Sequence, residues 1–277
     1  MSWTVTEDPA AFDRAAGAYL AADPIRHTIP LSVVANLVAG RASYDATLFG
    51  WWTDETGTVT AAFIHTPPWP LGLYGVREPA AAELVRVLAE GDHEVGEVNA
   101  EAATAHLFTD AWTAAHGRNT KAATGMRLYR LGELIAPEPP PSGAARRAGL
   151  ADTDLIARWF TAFQAETGGP PADQHRSATT RIELGTAVLW EDGGPAAVAC
   201  CWLPFHGVAR IAPVYTPPAR RGRGYGGAAT AAIAQRARQL GAREVVLFAD
   251  LANPTSNALY QRLGFRPVAD FAIREMC

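Results

Sequence analysis

The stretch that decides the fold is 214-VYTPPARRGRGYGG-227, whose last eight residues hold four glycines and three arginines. Glycine lets the backbone turn sharply and lets amide groups approach a ligand that a side chain would block. An alanine-rich segment, 228-AATAAIAQRARQL-240, follows at once with the spacing of a helix that Gly241 closes. The free amides and the dipole at the start of a helix favour an anion. The stretch therefore predicts a phosphate-binding loop between a strand and a helix.

Three other interpretations of this loop stay open from its letters alone. It also fits a solvated surface loop. An RGG-like nucleic-acid segment is typically embedded in basic, disordered sequence, whereas this one joins two regular elements. A dinucleotide-binding loop requires G-x-G-x-x-G with an acidic residue about 20 positions later, and the glycine spacing here differs. A Walker loop is excluded because no Gly-Lys-Ser/Thr follows.

Size and composition limit the class of protein. The 277 residues fit two domains of roughly 130 to 150 residues each. A net charge of -4 gives no global attraction to nucleic acid or to anionic lipid. The three cysteines form neither a disulfide framework nor a zinc spacing. With no long apolar run and no signal-like N-terminus, we expect a cytoplasmic protein with no metal, nucleic-acid or membrane partner.

A proline-rich seam, 136-APEPPPSGAARRAG-149, divides the chain. Its four closely spaced prolines favour extended backbone and cannot donate to a helix or a sheet. We therefore predict a first domain over residues 1–135, a linker over 136–145 and a second domain over 146–277.

The second domain alternates helical and strand patterns in the order α-α-β-β-β-α-β-α-β, which indicates an α/β fold around one central sheet. In this interpretation 265-FRPVADFAIREM-276 forms a final strand pair. The first domain repeats the order of elements, but 77-REPAA-81 stands where the second domain has its glycine cluster. The sequence thus predicts a duplicated scaffold with one phosphate loop.

The loop resembles a known motif, and a second motif further along supports the resemblance. The spacing Arg221-x-x-Gly224-x-Gly226 is similar to motif A of the GCN5-related N-acetyltransferase (GNAT) superfamily, whose members bind acyl-CoA. The segment 253-NPTSNALYQRLGF-265 is similar to motif B. The detailed match covers roughly residues 209 to 268. The resemblance implies an α/β protein of tandem GNAT folds, each with a mixed central β-sheet flanked by helices, of which the N-terminal copy is degenerate.

The resemblance also implies the role of each matched residue. Tyr260 matches the general acid that protonates the departing CoA thiolate, and a phenol of pKa about 10 can donate to a thiolate whose conjugate acid is near 8.5. Main-chain groups of Val214, Tyr215 and Thr216 would pair with the pantetheine arm, with Asn253 and Ser256 beside it. The pyrophosphate would lie on the amides of Arg221, Gly222, Arg223, Gly224, Tyr225, Gly226 and Gly227.

A general base is harder to place. An alkylammonium near pKa 10.4 must lose a proton before its nitrogen can attack the thioester. Some members of the superfamily use a glutamate on the strand that here reads 207-GVARIAPVYT-216 and holds no carboxylate. We expect a water relay or main-chain carbonyls, with Glu166 and Glu183 as fallback candidates. Cys200 and Cys201 have no nearby histidine, so neither is predicted to be a nucleophile.

These features favour an acyl-CoA-dependent N-acyltransferase, most simply one that moves the acetyl group of acetyl-CoA to a primary amine of a small molecule, amino acid or peptide. The alternative is a non-catalytic acyl-CoA sensor or scaffold. Aminoacyl transfer from charged tRNA is disfavoured by the negative net charge. We expect the first domain to wall the acceptor pocket or to form a homodimer surface, and we interpret Asn99 as a helix N-cap.

Overall fold

The computed structural model describes residues 1–117 and 119–277. The chain forms two compact units. Unit 1 comprises Met1–Leu128, Asp250–Ala252 and Ala269–Cys277, and unit 2 comprises Tyr129–Ala249 and Asn253–Val268. The C-terminal residues therefore belong to unit 1, which a single boundary at the proline-rich seam does not anticipate.

The first half of the chain contains six strands and four helices within its described residues. In chain order they are β1 (Ser2–Thr6), α1 (Pro9–Ala21), α2 (Thr28–Val38), β2 (Leu48–Thr53), β3 (Val59–His65), β4 (Leu71–Tyr74), α3 (Ala80–Glu90), β5 (Glu97–Glu101), α4 (Ala102–His116) and β6 (Thr120–Leu131).

The second half contains the same series of elements. In chain order they are β7 (Ala144–Arg147), α5 (Thr153–Thr167), α6 (Gln174–Glu183), β8 (Ala187–Glu191), β9 (Pro195–Cys201), β10 (Val208–Tyr215), α7 (Tyr225–Gln239), β11 (Glu244–Asp250), α8 (Pro254–Arg262) and β12 (Phe265–Met276).

The order β-α-α-β-β-β-α-β-α-β is thus common to both halves, and the predicted α/β repeat is confirmed. Two predictions about strands are wrong. Residues 265–276 form one long strand rather than a pair, and each half opens on a short strand that the sequence patterns missed. The strand β7 forms because 144-AARR-147 pairs antiparallel with β8, although none of its residues is β-branched or aromatic.

In unit 1 the strand order is β1-β2-β3-β4-β5-β12-β6, with β12 contributing residues from 269 onward and β6 contributing residues 120–128. Strands β1 to β4 pair antiparallel, while β4 and β5 pair in parallel. One face of the sheet packs on α3 and α4 around Phe63, Leu84 and Phe108, and the other packs on α1 and α2 around Phe12 and Phe49.

In unit 2 the strand order is β12-β6-β11-β10-β9-β8-β7, with β12 contributing residues 265–268 and β6 contributing residues 129–131. Helix α7 covers one face, where its small Ala229, Ala234 and Ala237 side chains pack into the core with Ile233. Helices α5 and α6 cover the other face around Ile156 and neighbouring residues. This arrangement places the end of β10 and the start of α7 at one end of the sheet.

The glycine of the second motif, Gly264, has a structural role that gives a testable prediction. It has φ +92°, and a Cβ added there would lie 1.9 Å from the carbonyl oxygen of Glu133. We expect Gly264→Ala to lower the free energy of unfolding by about 3 kcal/mol, from left-handed strain and overpacking together. Urea unfolding measures this loss.

The matched control is Gly241→Ala, because Gly241 has φ +94° and nothing within 4 Å of its added Cβ. Strain alone predicts a loss of about 1 kcal/mol there. Equal losses in the two variants would show that the clash at Gly264 is relieved at no cost.

Candidate active site

Strands β10 and β11 part beside the glycine-rich loop. Their parallel pairing runs from Val208–Glu244 to Ile211–Leu247. Beyond Ile211, β10 stays paired with β9 through Val214–Ala199 and Tyr215–Val198, after a bulge. Among the described residues no pairing to β11 continues past Ile211, so the β11-facing backbone edge of residues 212–215 lies open. An open strand edge can pair with the amide groups of an extended ligand.

The loop that follows β10 has the backbone of an anion-binding site. Gly222 and Gly224 have φ of +77° and +82°, a region that L side chains rarely adopt. Gly224 is the N-cap of α7, and the first bond of the helix runs from the Ala228 amide to the Gly224 carbonyl at 3.1 Å. The amides of Tyr225, Gly226 and Gly227 therefore have no acceptor within the helix. They and the helix dipole present positive charge at the end of β10.

Arg221 is held in place by groups of unit 2. Its Nε donates to the Thr216 carbonyl at 2.9 Å, and its Nη2 donates to both Glu166 oxygens at 2.7 and 2.6 Å. Its amide donates to the Pro218 carbonyl at 3.2 Å, closing a short 3-10 turn over Pro218–Arg220. The Arg221 amide is therefore occupied within the turn, and its guanidinium fixes the loop. The predicted contacts of the loop amides with a pyrophosphate stay a prediction.

Glu166 is consequently a poor base candidate. It binds Arg221, and its Oε1 also accepts from the Tyr215 hydroxyl at 3.4 Å. Burial raises the pKa of that hydroxyl, and Glu166 adds to the effect. The other fallback candidate, Glu183, is exposed at the end of α6. Strand β10 carries no carboxylate, and its one charged side chain is Arg210.

Tyr225 anchors the start of α7 through its side chain. The ring is buried in the core, and its hydroxyl donates to Asp192 in the β8–β9 turn. This bond, together with one from Ser142, lowers the pKa of Asp192. The proline-rich seam lies beside the start of α7. A Cβ added at Gly224 would lie 3.5 Å from Pro141, and a Cβ added at Gly227 would lie 3.8 Å from Pro137. Both contacts fix the helix start against the body of unit 2.

Asn253 and Ser256 form the N-terminal cap of α8. The Asn253 side-chain oxygen accepts from the Ser256 amide at 3.0 Å, and Pro254 occupies the first turn. The side-chain NH₂ of Asn253 remains as the donor group that this residue can present to a ligand. The predicted contact of Asn253 with a pantetheine arm stays a prediction.

Tyr260 lies on α8, half-buried against the core of unit 2. Its ring meets Phe265 edge-on with centroids 6.0 Å apart. Burial raises the pKa of its hydroxyl to about 12. A phenol of this kind keeps its proton at every physiological pH, so it is a proton donor and never a base.

The cysteines and Arg181 are structural. Cys200 and Cys201 are buried on opposite faces of β9, and burial raises their pKa values to about 12 and about 11, so both stay thiols. Arg181 donates to the Cys201 carbonyl at 3.0 Å and lies 4.4 Å from the ring centroid of Trp202. Burial lowers the pKa of Arg181. The prediction that neither cysteine is a nucleophile agrees with these surroundings.

The segment of unit 1 that corresponds to the glycine-rich loop has a different sequence. Between β4 and α3 the chain reads 75-GVREP-79, and a Cβ added at Gly75 would lie 1.9 Å from the Tyr19 hydroxyl. The interpretation of Asn99 as a helix N-cap is wrong, because Asn99 lies within β5 and pairs opposite Gly72 of β4 and Ile273 of β12. The N-cap of α4 is Glu101.

Comparison with known families identifies the domain that carries this site. The model of the Acetyltransferase (GNAT) family matches residues 153–265, which run from the start of α5 to the start of β12. This segment is a GNAT-family domain, as its two motifs predicted. A search of curated proteins found no match to the sequence.

Solved structures show that the fold of the whole chain is a tandem GNAT fold. An acetyltransferase of the GNAT family from Colwellia psychrerythraea is similar with a TM-score of 0.65 and 13% identity, covering 100% of this chain and 99% of that one. A GCN5-related N-acetyltransferase from Sphaerobacter thermophilus gives 0.65 and 17%, covering 99% and 95%. A tandem GNAT protein from the clavulanic acid biosynthesis pathway gives 0.60 and 13%, covering 99% and 98%.

The described residues contain neither a membrane-spanning helix nor a group of side chains arranged for a metal ion. None of its helices has the length and apolar character that crossing a membrane requires. Residues 1–117 and 119–277 hold no group of three or more His, Cys, Asp or Glu side chains arranged for a metal ion.

Proposed function

We propose that the chain is an acyl-CoA-dependent N-acyltransferase that moves the acetyl group of acetyl-CoA to a primary amine in a ternary complex. The observation that carries this proposal is the parting of β10 and β11 directly beside the glycine-rich start of α7. The open edge suits the two amides of a pantetheine arm, and the loop suits a pyrophosphate. Both features lie on the domain that matches the GNAT family.

The proposed binding mode divides the donor among three groups of residues. The main chain of Val214, Tyr215 and Thr216 pairs with the arm, although the Thr216 carbonyl already accepts from Arg221. The amides of residues 222–227 hold the pyrophosphate, and Arg223 in the exposed loop adds positive charge. Asn253 presents its side-chain NH₂ to the arm.

In the proposed reaction the neutral amine nitrogen attacks the thioester carbonyl, and the carbon–sulfur bond breaks. Tyr260 gives its hydroxyl proton to the departing thiolate, and the nitrogen loses a proton to water. The tyrosinate then regains a proton from solvent, so that the products are the amide and free CoA. The absence of a carboxylate from β10 is the reason for assigning the amine proton to water.

A thiol-release assay tests the proposal. Acetyl-CoA is mixed with the protein and a panel of primary amines that includes amino acids, amino sugars, polyamines and peptide N-termini. We expect saturable acetyl-CoA binding, with a Kd between about 1 μM and 1 mM, and CoA release that depends on an amine. Binding without release for every amine favours the sensor alternative, and no binding by calorimetry contradicts both functions.

The raised pKa of Tyr260 predicts an unusual pH profile. With an aliphatic amine, kcat/KM should rise about tenfold per pH unit from pH 7 because the free amine becomes more abundant. It should not fall by pH 10, because the hydroxyl of Tyr260 is lost only as the pH passes about 12. A less basic amine, as the control, should shift the rising limb to lower pH. A falling limb centred near pH 10 would show that the tyrosine titrates as an exposed phenol.

A further inference from the structure

Unit 2 contains a cavity of about 450 Å³ that the proposed acyl transfer does not use. Its walls come from the end of β6, the last turn of α7, the start of β11 and the start of β12. The lining residues are Arg130, Leu131, Gly132, Arg238, Arg243, Glu244 and Arg266.

The charges around this cavity are strongly unbalanced. Four guanidinium groups face one carboxylate. Arg130 and Glu244 satisfy each other in a two-pronged pair, with N–O distances of 2.7 and 2.6 Å. The remaining lining carries three positive charges in a chain whose net charge is -4. The positive potential is therefore local to this cavity.

Two of the remaining arginines are held by backbone carbonyls rather than by acids. Arg238 donates to Gly132 at 3.1 Å, and Arg243 donates to His206 at 3.2 Å. A carbonyl orients a guanidinium without neutralising it, so both side chains keep their full charge and most of their donors. Arg266 is exposed at the start of β12.

Helix electrostatics account for only part of this cluster. The last turn of a helix favours a cation, which is a sufficient reason for Arg238 at the end of α7. It gives no reason for arginines on β6, β12 and the turn before β11 to line the same cavity. These guanidinium groups are exposed, so water and salt screen their mutual repulsion, and an anion bound among them would relieve what remains.

The cavity is separate from the glycine-rich loop. Gly224 and Arg238 lie at opposite ends of α7, and a helix rises 1.5 Å per residue, which puts them about 21 Å apart. An anion in the cavity would therefore not be the pyrophosphate of a donor bound at the loop.

We propose that this cavity binds a small anion with two or more linked phosphates. Arg238, Arg243 and Arg266 would each present a planar fork of donors to phosphate oxygens. The charge of a pyrophosphate or triphosphate matches the three unneutralised guanidinium groups. The volume lies within the range of small-molecule sites.

Calorimetric titration with pyrophosphate and tripolyphosphate tests this site. The variant is R238E/R266E, and the matched control is R158E/R176E, which reverses two exposed arginines outside the cavity. We expect at least tenfold weaker binding in R238E/R266E and unchanged binding in the control, with affinity falling as salt rises. R238Q/R266Q, with a smaller expected loss, serves if the charge reversal unfolds the protein, and thermal melting of each variant checks folding.

Equal affinity in R238E/R266E and the control would overturn the proposal, as would no measurable binding to the unmodified protein. Citrate is included as a polycarboxylate of similar charge. Citrate that binds as tightly as tripolyphosphate would overturn the assignment to phosphates. Adenosine triphosphate in parallel shows whether a nucleoside adds affinity, which separates a nucleotide site from a site for free polyphosphate.

Discussion

Gly224→Glu is expected to weaken acetyl-CoA binding at least 100-fold in a calorimetric titration, which corresponds to about 2.7 kcal/mol. The new carboxylate would stand at the N-cap of α7, where the proposed pyrophosphate lies. Repulsion from each phosphate costs about 1 kcal/mol even in water-like surroundings at 4 Å. The carboxylate would also occupy the positive end of the helix dipole, worth up to about 1 kcal/mol.

This loss of binding is separable from loss of folding. A non-glycine residue at φ +82° costs about 1 to 2 kcal/mol. A carboxylate at the start of a helix returns part of that cost. A Cβ at Gly224 meets only Pro141 at 3.5 Å, which is an ordinary contact. The variant should therefore melt within a few degrees of the unmodified protein.

Gly57→Glu is the matched control. Gly57 lies in the β2–β3 turn with φ +83° and nothing within 4 Å of its added Cβ. It receives the same charge and the same backbone strain, and we expect its acetyl-CoA affinity to stay unchanged. Undiminished binding in Gly224→Glu would remove the loop from the donor site. Equal weakening in both variants would point to a general effect of the added charge.

The order of elements was readable from the sequence because each element has its own local signal. Helix α7 combines an alanine-rich face with a glycine at each end, and β11 contains an unbroken apolar run over residues 245–249. The short strand β7 lacks such a signal and forms through pairing with β8, whereas β1, 2-SWTVT-6, has strand-forming residues in a run of only five. Long, periodic segments were therefore predictable and edge strands were not.

The sequence could not show that most of β12 belongs to unit 1, and the reason is different. The sequence predicted a strand pair over residues 265–276, whereas the structure has one strand that runs through Pro267. The later residues of the strand pair with β5, Phe271 opposite Glu101, roughly 170 positions away along the chain. No local pattern specifies a partner at that distance, because pairing between distant strands depends on the whole fold. The composition of the two units follows from this pairing.

At the candidate site the sequence located the backbone features better than the side-chain partners. The glycine spacing indicated a sharply turning loop before a helix, and Gly222 and Gly224 do have positive φ. The sequence could not show that Glu166, more than 50 positions earlier, binds Arg221, since the chain offers many other acids as partners. It also placed Asn99 at a helix start, although the strand β5 extends two residues further. Contacts between distant elements depend on register, which local spacing does not contain.

Tyr260→Phe is expected to lower kcat about 100-fold to 1,000-fold while leaving the KM for acetyl-CoA unchanged. The change removes the proposed donor to the CoA thiolate and keeps the ring against Phe265. Stability should not fall, because in the part of the chain that the structure describes the Tyr260 hydroxyl has no hydrogen-bond partner. No hydrogen bond is lost in the variant, so the melting temperature should stay equal.

Tyr129→Phe supplies the opposite pattern as a control. The Tyr129 hydroxyl donates to Asn257 Oδ1 at 2.7 Å and accepts from Gln261 at 3.2 Å. Its loss should cost about 1 to 2 kcal/mol of stability and change kcat less than twofold. A purely structural role for Tyr260 rests on its ring, which Phe keeps, and predicts kcat within threefold of the unmodified enzyme at an equal melting temperature. Measuring kcat and melting temperature for both variants therefore separates proton donation from packing at this residue.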